Sequence, residues 1–269
     1  RVIQAALLDR LRSFSNITLL CPASVASMVI TTDGVRVGLG QADANPGHPL
    51  TAKLVIGADG AHSKVRQLAG ITTRGWSYAQ KGVVATVQTG LPHRDTAWQR
   101  FLPNVPLAFL PLHDGRCSIV WSTTPEHADM LMAMDEAAFL GALEHTFGDK
   151  LGKMLASPRH SSAVVSRAAF PLNLQHATAY TAPRLALIGD AAHTLHPLAG
   201  QGVNLGVLDA ATLAEVVLDA RRLGKDIGAH GTLRRYERWR KGDNLAMMAA
   251  MDLFKRLFSN DFMPLHWLR

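Results

Sequence analysis

The sequence has few cysteines, no long hydrophobic run and no zinc-type pattern. Of its 269 residues only Cys21 and Cys117 are cysteines, and their apolar, strand-like surroundings predict two buried, reduced thiols in a cytoplasmic protein. No segment approaches ~18 consecutive apolar residues, so we expect no membrane-spanning helix. No Cys/His spacing suggests a metal site. The chain opens on "RVIQAALLDRLRSF", with neither an initiator Met nor a secretory pattern, and we expect it to be a fragment.

The composition is that of a soluble protein with a sizeable core, at 48% hydrophobic and 18% charged residues. The net charge of +7 raises the question of nucleic-acid binding. However, the basic run at 233–242 includes Glu237 and places Leu233, Tyr236 and Trp239 at helical spacing, which predicts a helix with one packed face. We expect no nucleic-acid partner. Attraction of the positive charge to an acidic membrane surface is the favoured alternative.

The chain alternates between two kinds of organisation. "AKLVIGADG" followed by "SKVRQLAG" (52–70) is a strand, a glycine turn and a short helix, and "RLALIGDAAH" (184–193) followed by a helix over 202–222 repeats the arrangement. Between them, 76–170 is rich in strand-like stretches, with one helix at 135–148. We therefore predict an α/β (α+β) fold: an incomplete Rossmann-like domain with an inserted, mostly antiparallel sheet domain.

The remaining segments complete this outline. We expect a helix over 1–13, a β-meander over 16–40 and a helix over 232–258. The predicted units are 1–75 and 176–222 for the Rossmann-like domain, 76–175 for the sheet domain and 223–269 for a C-terminal helical segment.

The stretch from 184 to 206 has the features of a ligand site. Its strand ends at Gly189, and Asp190 follows at the carboxyl end of the sheet, where α/β folds bind ligands and a carboxylate can accept hydrogen bonds from sugar-like hydroxyls. Gly200, Gly202 and Gly206 would let backbone N–H groups approach a flat or anionic ligand, and the positive end of the next helix would face it. A glycine-rich connection without a ligand is the alternative.

Three motifs carry a family resemblance. "HPLAGQGVNLGVLD" (196–209) resembles the signature of the flavin-dependent ubiquinone-biosynthesis hydroxylases, which belong to the para-hydroxybenzoate hydroxylase superfamily. "LVIGADGAHSKVR" and "RLALIGDAAH" resemble the DG and GD motifs of that superfamily, with the sheet-rich segment between them. "CSIVWS", "GKDIG" and "LRRYER" are similar to the 2-polyprenylphenol hydroxylase subgroup.

The resemblance implies a set of FAD-binding residues. Asp190, beside Gly189, would bind the ribityl or ribose hydroxyls, and the turn that contains Pro197, Gly200, Gly202, Val203 and Asn204 would lie against the isoalloxazine ring. The first helix would contribute Gln4. The DG motif would contribute Asp59, Gly60 and Arg66, although Asp59 could instead cap a turn and Arg66 could form a surface ion pair.

The chain departs from the family pattern in one respect. The family opens with a strand, a G-x-G-x-x-G turn and a helix that bind the ADP half of FAD, and no such unit occurs here. We therefore expect the chain to start one subdomain late and to lack the central strands on which its two strand–turn–helix units would pair. On this basis we predict weak or absent FAD binding by the chain alone.

The resemblance also implies a reaction. The flavin would carry the chemistry through a C4a-hydroperoxide, with O2 as co-substrate and NAD(P)H as reductant, to hydroxylate a polyprenylated phenol, and no side chain would be the main catalyst. His193 and His196 would shape the turn. Another flavin monooxygenase of the superfamily, or a non-catalytic scaffold or prenyl-lipid-binding subunit of a ubiquinone-biosynthesis complex, remains an alternative.

Two sets of apolar side chains could bind either a ligand or other parts of the protein. Phe109, Leu110 and Trp121 could line a route for the prenyl tail, but ordinary core packing is favoured. Met247, Met251, Phe254 and Phe258 share one helical face, which is more often a core or partner contact than a membrane anchor. Because the implied substrate resides in the bilayer, peripheral docking at the inner membrane is a further hypothesis.

Overall fold

The structure, a computed structural model, describes residues 2–40, 49–102, 106–155, 164–195 and 201–258. The helices are α1 (Val2–Arg12), α2 (Lys64–Leu68), α3 (Pro125–Ala133), α4 (Glu136–Phe147), α5 (Gly202–Arg222) and α6 (His230–Phe258). Two short 3₁₀ segments cover Asp149–Leu151 and Gly189–Ala191. None of the helices in the described ranges is long and apolar enough to cross a membrane.

The strands of the described ranges fall into three sheets. In chain order they are β1 (Ser24–Ile30), β2 (Val35–Gly40), β3 (Leu50–Ala52), β4 (Val55–Gly57), β5 (Thr73–Thr89), β6 (Trp98–Arg100), β7 (Leu107–Pro111), β8 (Cys117–Thr123), β9 (Met154–Leu155), β10 (Val164–Ala177), β11 (Thr181–Ala182), β12 (Leu185–Leu187) and β13 (His193–Thr194). β1, β2 and β3 form a three-stranded antiparallel sheet. The predicted meander is confirmed over 24–40, but no strand forms over 16–23.

The largest sheet is antiparallel and has the order β13-β10-β5-β8-β7-β6, with β9 paired to β5. Its side chains alternate between two faces, as the pleat requires. Val83, Phe109 and Trp121 point to one face and are buried with Leu131 of α3 and Phe139 of α4. Helices α3 and α4 therefore cover one face of the sheet. Phe109 and Trp121 are core residues, which agrees with the assignment that the sequence favoured.

The third sheet brings the two strand–turn–helix units together. Its order is β11-β12-β4, and β12 pairs with β4 in parallel, Leu185 with Val55 and Leu187 with Gly57. The expectation that the two units need central strands outside this chain was therefore wrong, because the two strands hydrogen-bond directly. Buried residues of α5 and α6, such as Leu213 and Tyr236, pack with this sheet.

Several local predictions can be compared with the structure. Ser63 caps α2 and accepts a hydrogen bond from the backbone N–H of Arg66, as expected. Cys117 is buried in β8, but Cys21 is exposed and precedes β1, so its predicted burial was wrong. Helix α1 forms where it was predicted, yet none of its residues is buried. Helix α3, whose N-cap is Thr124 with Pro at the first turn, was not predicted.

The basic run at 233–242 lies in α6 and does have a packed side. Leu233 and Tyr236 are fully buried. Trp239 was expected on the same face but is 42% exposed, and its ring stacks with the guanidinium of Arg235, 4.3 Å from the ring centroid. Further along α6, Met247 and Met251 pack against the buried cluster of Leu174 and Leu195, while the side chains of Phe254 and Phe258 lie outside the described residues.

Candidate functional site

The GD turn, which we define as residues 189–193, leaves β12 at the carboxyl end of the small sheet. Gly189 has φ +58°, a left-handed conformation that glycine adopts without steric cost. Asp190 follows it and is exposed. A Cβ placed on Gly202 would lie 4.0 Å from Asp190 Oδ1. The carboxylate therefore lies beside the first turn of α5, as the sequence predicted.

The start of α5 is accessible. The N-cap residue Gln201 makes no side-chain capping hydrogen bond, so the amides of the first turn, which have no acceptor within the helix, are not satisfied by it. Val203 is 76% exposed. Asn204 is also exposed and donates from Nδ2 to Gln201 Oε1 at 3.1 Å. Pro197, Gly200 and His196 lie outside the described residues.

Two glycines let the GD turn contact α5. A Cβ on Gly206 would be 3.3 Å from the Cα of Gly189, which is tighter than ordinary van der Waals contact. The role of Gly206 is therefore close packing of the helix against the turn, and not the approach of its N–H to a ligand. This contact holds the first turn of α5 at the side of the GD turn.

The DG motif lies next to the GD turn through β4. Asp59 accepts hydrogen bonds from the hydroxyl of Ser63 and, at its Oδ2, from the backbone N–H groups of Lys64 at 2.7 Å and Val65 at 3.1 Å. Partial burial acts to raise the pKa of Asp59, but these hydrogen bonds outweigh it and lower the pKa below its ordinary value. The carboxylate thus caps the start of α2. Gly60, at φ +83°, forms the turn.

Arg66 connects the two motifs. It is 5% exposed, and its guanidinium donates from Nη1 to the carbonyl of Ala191 and from Nη2 to the carbonyl of Ala61, both at 2.7 Å. The alternative of a surface ion pair is therefore wrong, because Arg66 is a buried link between the DG and GD turns. Gln4 is exposed on α1, and its place in a cofactor site stays a prediction.

The sequence reasoning missed a buried carboxylate beneath the GD turn. Asp209 of α5 is fully buried and accepts hydrogen bonds from the backbone N–H of Gly189 and from Nε2 of His193. A signal was available: Asp209 shares the helical spacing of the buried residues Leu205, Leu213 and Val216, and a lone carboxylate on an apolar helix face indicates a buried partner. His193 is buried and shapes the turn, as expected.

These residues fit a flavin dinucleotide in two respects. An exposed carboxylate at the carboxyl end of a parallel strand suits sugar hydroxyls, and the first-turn amides of the 21-residue helix α5, which have no acceptor within the helix, suit the electron-rich edge of a ring or a phosphate. The geometry thus defines an α/β protein with a cofactor-type turn at its small parallel sheet and a large antiparallel sheet beside it.

Comparison with known proteins identifies the family. Residues 3–241 match the model of the FAD binding domain family, and the chain belongs to that family. The match spans both motifs and the antiparallel sheet between them. The predicted cofactor type, FAD, and the predicted fold class are thereby confirmed.

Curated relatives share much of the sequence. The chain is 40% identical over 268 residues to the 3-demethoxyubiquinol 3-hydroxylase of Escherichia coli (strain K12), covering 100% of this chain and 65% of the relative. It is 42% identical over 265 residues to the ubiquinone hydroxylase UbiL of Rhodospirillum rubrum, covering 98% of this chain and 59% of the relative. The chain thus spans about three fifths of the length of these relatives.

A solved structure shows the same fold. PqsL of Pseudomonas aeruginosa, described as a probable FAD-dependent monooxygenase, superposes with a TM-score of 0.76 at 23% identity, over 96% of this chain and 70% of that one. At this identity the similarity supports the fold alone. The narrower assignment to the 2-polyprenylphenol hydroxylase subgroup stays a prediction.

Proposed function

We propose that this chain belongs to an FAD-dependent aromatic-ring monooxygenase that hydroxylates a polyprenylated phenol in ubiquinone biosynthesis, with O2 as co-substrate and NAD(P)H as reductant. The single observation that carries the proposal is the exposed Asp190 beside the first turn of α5, in a chain of the FAD-binding family. The names of the two curated relatives, both ubiquinone-pathway hydroxylases, support the reaction and the substrate class.

FAD, when bound, supplies the redox chemistry that activates O2 for transfer of a hydroxyl group to an electron-rich ring. The protein's own residues bind and orient. Asp190 would accept hydrogen bonds from the sugar-chain hydroxyls. The backbone N–H groups of Gly202, Val203 and Asn204 would stabilise negative charge on the ring system, as preorganised donors do. Pro197 and Gly200, in the adjoining part of the signature, would complete the turn.

The antiparallel sheet offers a surface for the prenyl tail on the face opposite α3 and α4. Ala168, Val84, Val120 and Ala108 are neighbours across four strands, and all four side chains are half-buried. Leu110 lies on the same face and is 40% exposed. We propose that this row contacts the tail. Phe109 and Trp121 instead lie on the face that α3 and α4 cover.

We propose that the three predicted parts of the chain have different tasks. Residues 1–75 and 176–222 would form the FAD-binding portion, 76–175 the substrate portion and 223–269 the C-terminal segment. The pairing of β4 with β12 supports the first, and the continuous pairing of β5 with β8 and β10 supports the second.

We propose that α6 also contacts the membrane surface. Leu245 and Leu253 of α6 are 46% and 68% exposed, and Lys255 and Arg256 follow them in the sequence, which suits an interfacial helix. Liposome co-sedimentation of the full-length gene product tests it, with vesicles of neutral and anionic lipid. Unchanged binding after exchange of Leu245 and Leu253 for Ser would contradict it.

The experiment for the main proposal is an FAD titration followed by an activity assay. The full-length gene product should bind one FAD and convert a polyprenylated phenol to a product that carries one oxygen atom from ¹⁸O2. Asp190→Asn should weaken FAD binding, and Asp129→Asn, whose side chain is 65% exposed on α3, should not. The 269-residue chain alone should bind FAD weakly. Absence of flavin from the wild-type gene product would refute the proposal.

A further inference from the structure

The carboxylate of Asp209 holds both ends of the GD turn. Its Oδ2 accepts the backbone N–H of Gly189 at 3.0 Å and Nε2 of His193 at 2.6 Å. These two residues are the first and the last of the turn, and Asp190 lies between them. A single carboxylate oxygen of α5 therefore holds the backbone on both sides of the exposed Asp190.

The other oxygen of the same carboxylate is fixed by α6. Oδ1 accepts Nε of Arg240 at 2.8 Å and Nδ2 of Asn244 at 3.2 Å. Arg240 also donates from Nη2 to Asn244 Oδ1 at 2.7 Å, and Asn244 is fully buried. The carboxylate thus has four donors, two from the turn and two from α6, so it is oriented from both sides.

The charge of this group is maintained in the interior. Burial acts to raise the pKa of Asp209, but hydrogen bonds from His193, Arg240 and the Gly189 N–H, with the charge of His193, lower the pKa below its ordinary value. Because the ionised carboxylate can only accept hydrogen bonds, the Nε2–H group of His193 is the donor. A buried charge is costly unless it is fully hydrogen-bonded, and an apolar residue would fill the same space without holding the turn.

We propose that Asp209 is a positioning residue for the cofactor site: by holding Gly189 and His193 it keeps Asp190 aligned with the start of α5, so that both bind one dinucleotide. This inference rests on the proposed function for the identity of the ligand. Asp209 itself would not contact the ligand. Its effect should therefore be measurable in the free protein, as slow hydrogen exchange in the GD turn.

The test uses Asp209→Asn in the full-length gene product, because an amide has one acceptor oxygen where the carboxylate has two. Asp219→Asn is the matched control: it lies on the same helix and pairs with Arg235 of α6 at 2.9 Å, away from the turn. Two quantities are measured, the dissociation constant for FAD and the hydrogen-exchange rate of peptides that cover 186–195 in the free protein. Asp209→Asn should weaken FAD binding at least tenfold and speed exchange in that segment, and Asp219→Asn should change binding less than twofold.

A second pair of variants separates positioning from general stability. His193→Phe removes a turn contact, and Asn244→Ala removes an α6 contact to the same carboxylate. If positioning is correct, His193→Phe weakens FAD binding far more than Asn244→Ala at equal losses of melting temperature. Equal effects on binding, or an exchange rate in 186–195 that Asp209→Asn and His193→Phe leave unchanged, would overturn the inference. Failure of the wild type to bind FAD would instead refute the proposed function, and the exchange measurement would still test the turn.

Discussion

Arg66 of α2 donates a hydrogen bond from Nη1 to the carbonyl oxygen of Ala191, 125 residues away in the sequence. The contact joins the DG and GD turns, which β4 and β12 bring side by side through parallel pairing. Together with the contact of Gly189 with Gly206, it restrains the GD turn on two sides. The position of the GD turn is therefore set by contacts to its backbone, from the Arg66 side chain on one side and from α5 on the other.

Substitution of Arg66 should destabilise the protein and loosen the GD turn. Arg66→Ala leaves the carbonyls of Ala61 and Ala191 without their donor, and we expect a loss of about 1.5–3 kcal/mol in the free energy of unfolding. Arg222→Ala is the control, because its side chain is 77% exposed and its ion pair should contribute less than about 1 kcal/mol. Urea unfolding of both variants measures the difference. Equal losses would show that Arg66 is not a buried link.

Gly206 and Gly242 should respond in opposite directions to the same substitution. Gly206→Ala places a methyl group 3.3 Å from the Cα of Gly189, and the overpacking cost of about 1–3 kcal/mol should exceed the gain of up to about 1 kcal/mol in helix propensity, because the GD turn is held in place. Gly242, in α6, is exposed, and a methyl group added there would meet no atom within 4 Å, so Gly242→Ala should stabilise by up to about 1 kcal/mol through helix propensity. Thermal unfolding measures both, and a stabilised Gly206→Ala protein would contradict the close contact.

The sequence predicted the helices and strands of this fold better than it predicted strand pairing and burial. Helices α4, α5 and α6 follow from apolar periodicity, and α4 also from its N-cap Asp135, because both signals are local. Direct pairing of β4 with β12 could not be predicted, since two three-residue strands carry no information about their partner. The exposure of Cys21 was missed for a related reason: an apolar stretch indicates burial only when a partner element covers it.

Some residues of the candidate site could be predicted from the sequence, and others could not. Asp190 and the start of α5 were predicted because a strand, a glycine turn and a helix follow one another in sequence. Arg66 and Asp209 act on atoms that are distant in sequence or in a neighbouring turn, so their roles required the structure. Asp209 is the last residue of the 196–209 signature, and its spacing with Leu205 and Leu213 indicates burial, but only the structure shows that it accepts from Gly189 and His193.

His176 should make the protein sensitive to acid between pH 6.5 and about 4. Its pKa is lowered from 6.5 to about 4, first by burial and then by the charges of Lys241 and His193, with Glu237 acting in the opposite direction. Since the folded state favours the neutral ring, the unfolded state binds the proton first as the pH falls through 6.5. Stability should then fall by up to about 1.4 kcal/mol per pH unit until the folded protein also protonates.

His176→Phe isolates this contribution. Acid protonation of the carboxylates remains in both proteins, so the difference between wild type and variant reports His176 alone. The variant should lose less stability than wild type from pH 6.5 to 4, as measured by urea unfolding at a series of pH values. Parallel curves for the two proteins would show that His176 titrates alike in the folded and unfolded states.

The open face of the antiparallel sheet should determine preference for the length of the prenyl chain. Val120 is half-buried in the row opposite the helices, and Val120→Gln places an amide where a tail would lie. A loss of about 1 kcal/mol of apolar contact corresponds to roughly a fivefold rise in KM for a long-chain phenol, and a phenol with a single prenyl unit should be affected less. Phe109→Ala is the contrast: Phe109 is fully buried against the helices, so this change should cost about 3–5 kcal/mol of stability and leave the ratio of the two KM values unchanged. If Val120→Gln alters both substrates equally, the tail does not bind on this face.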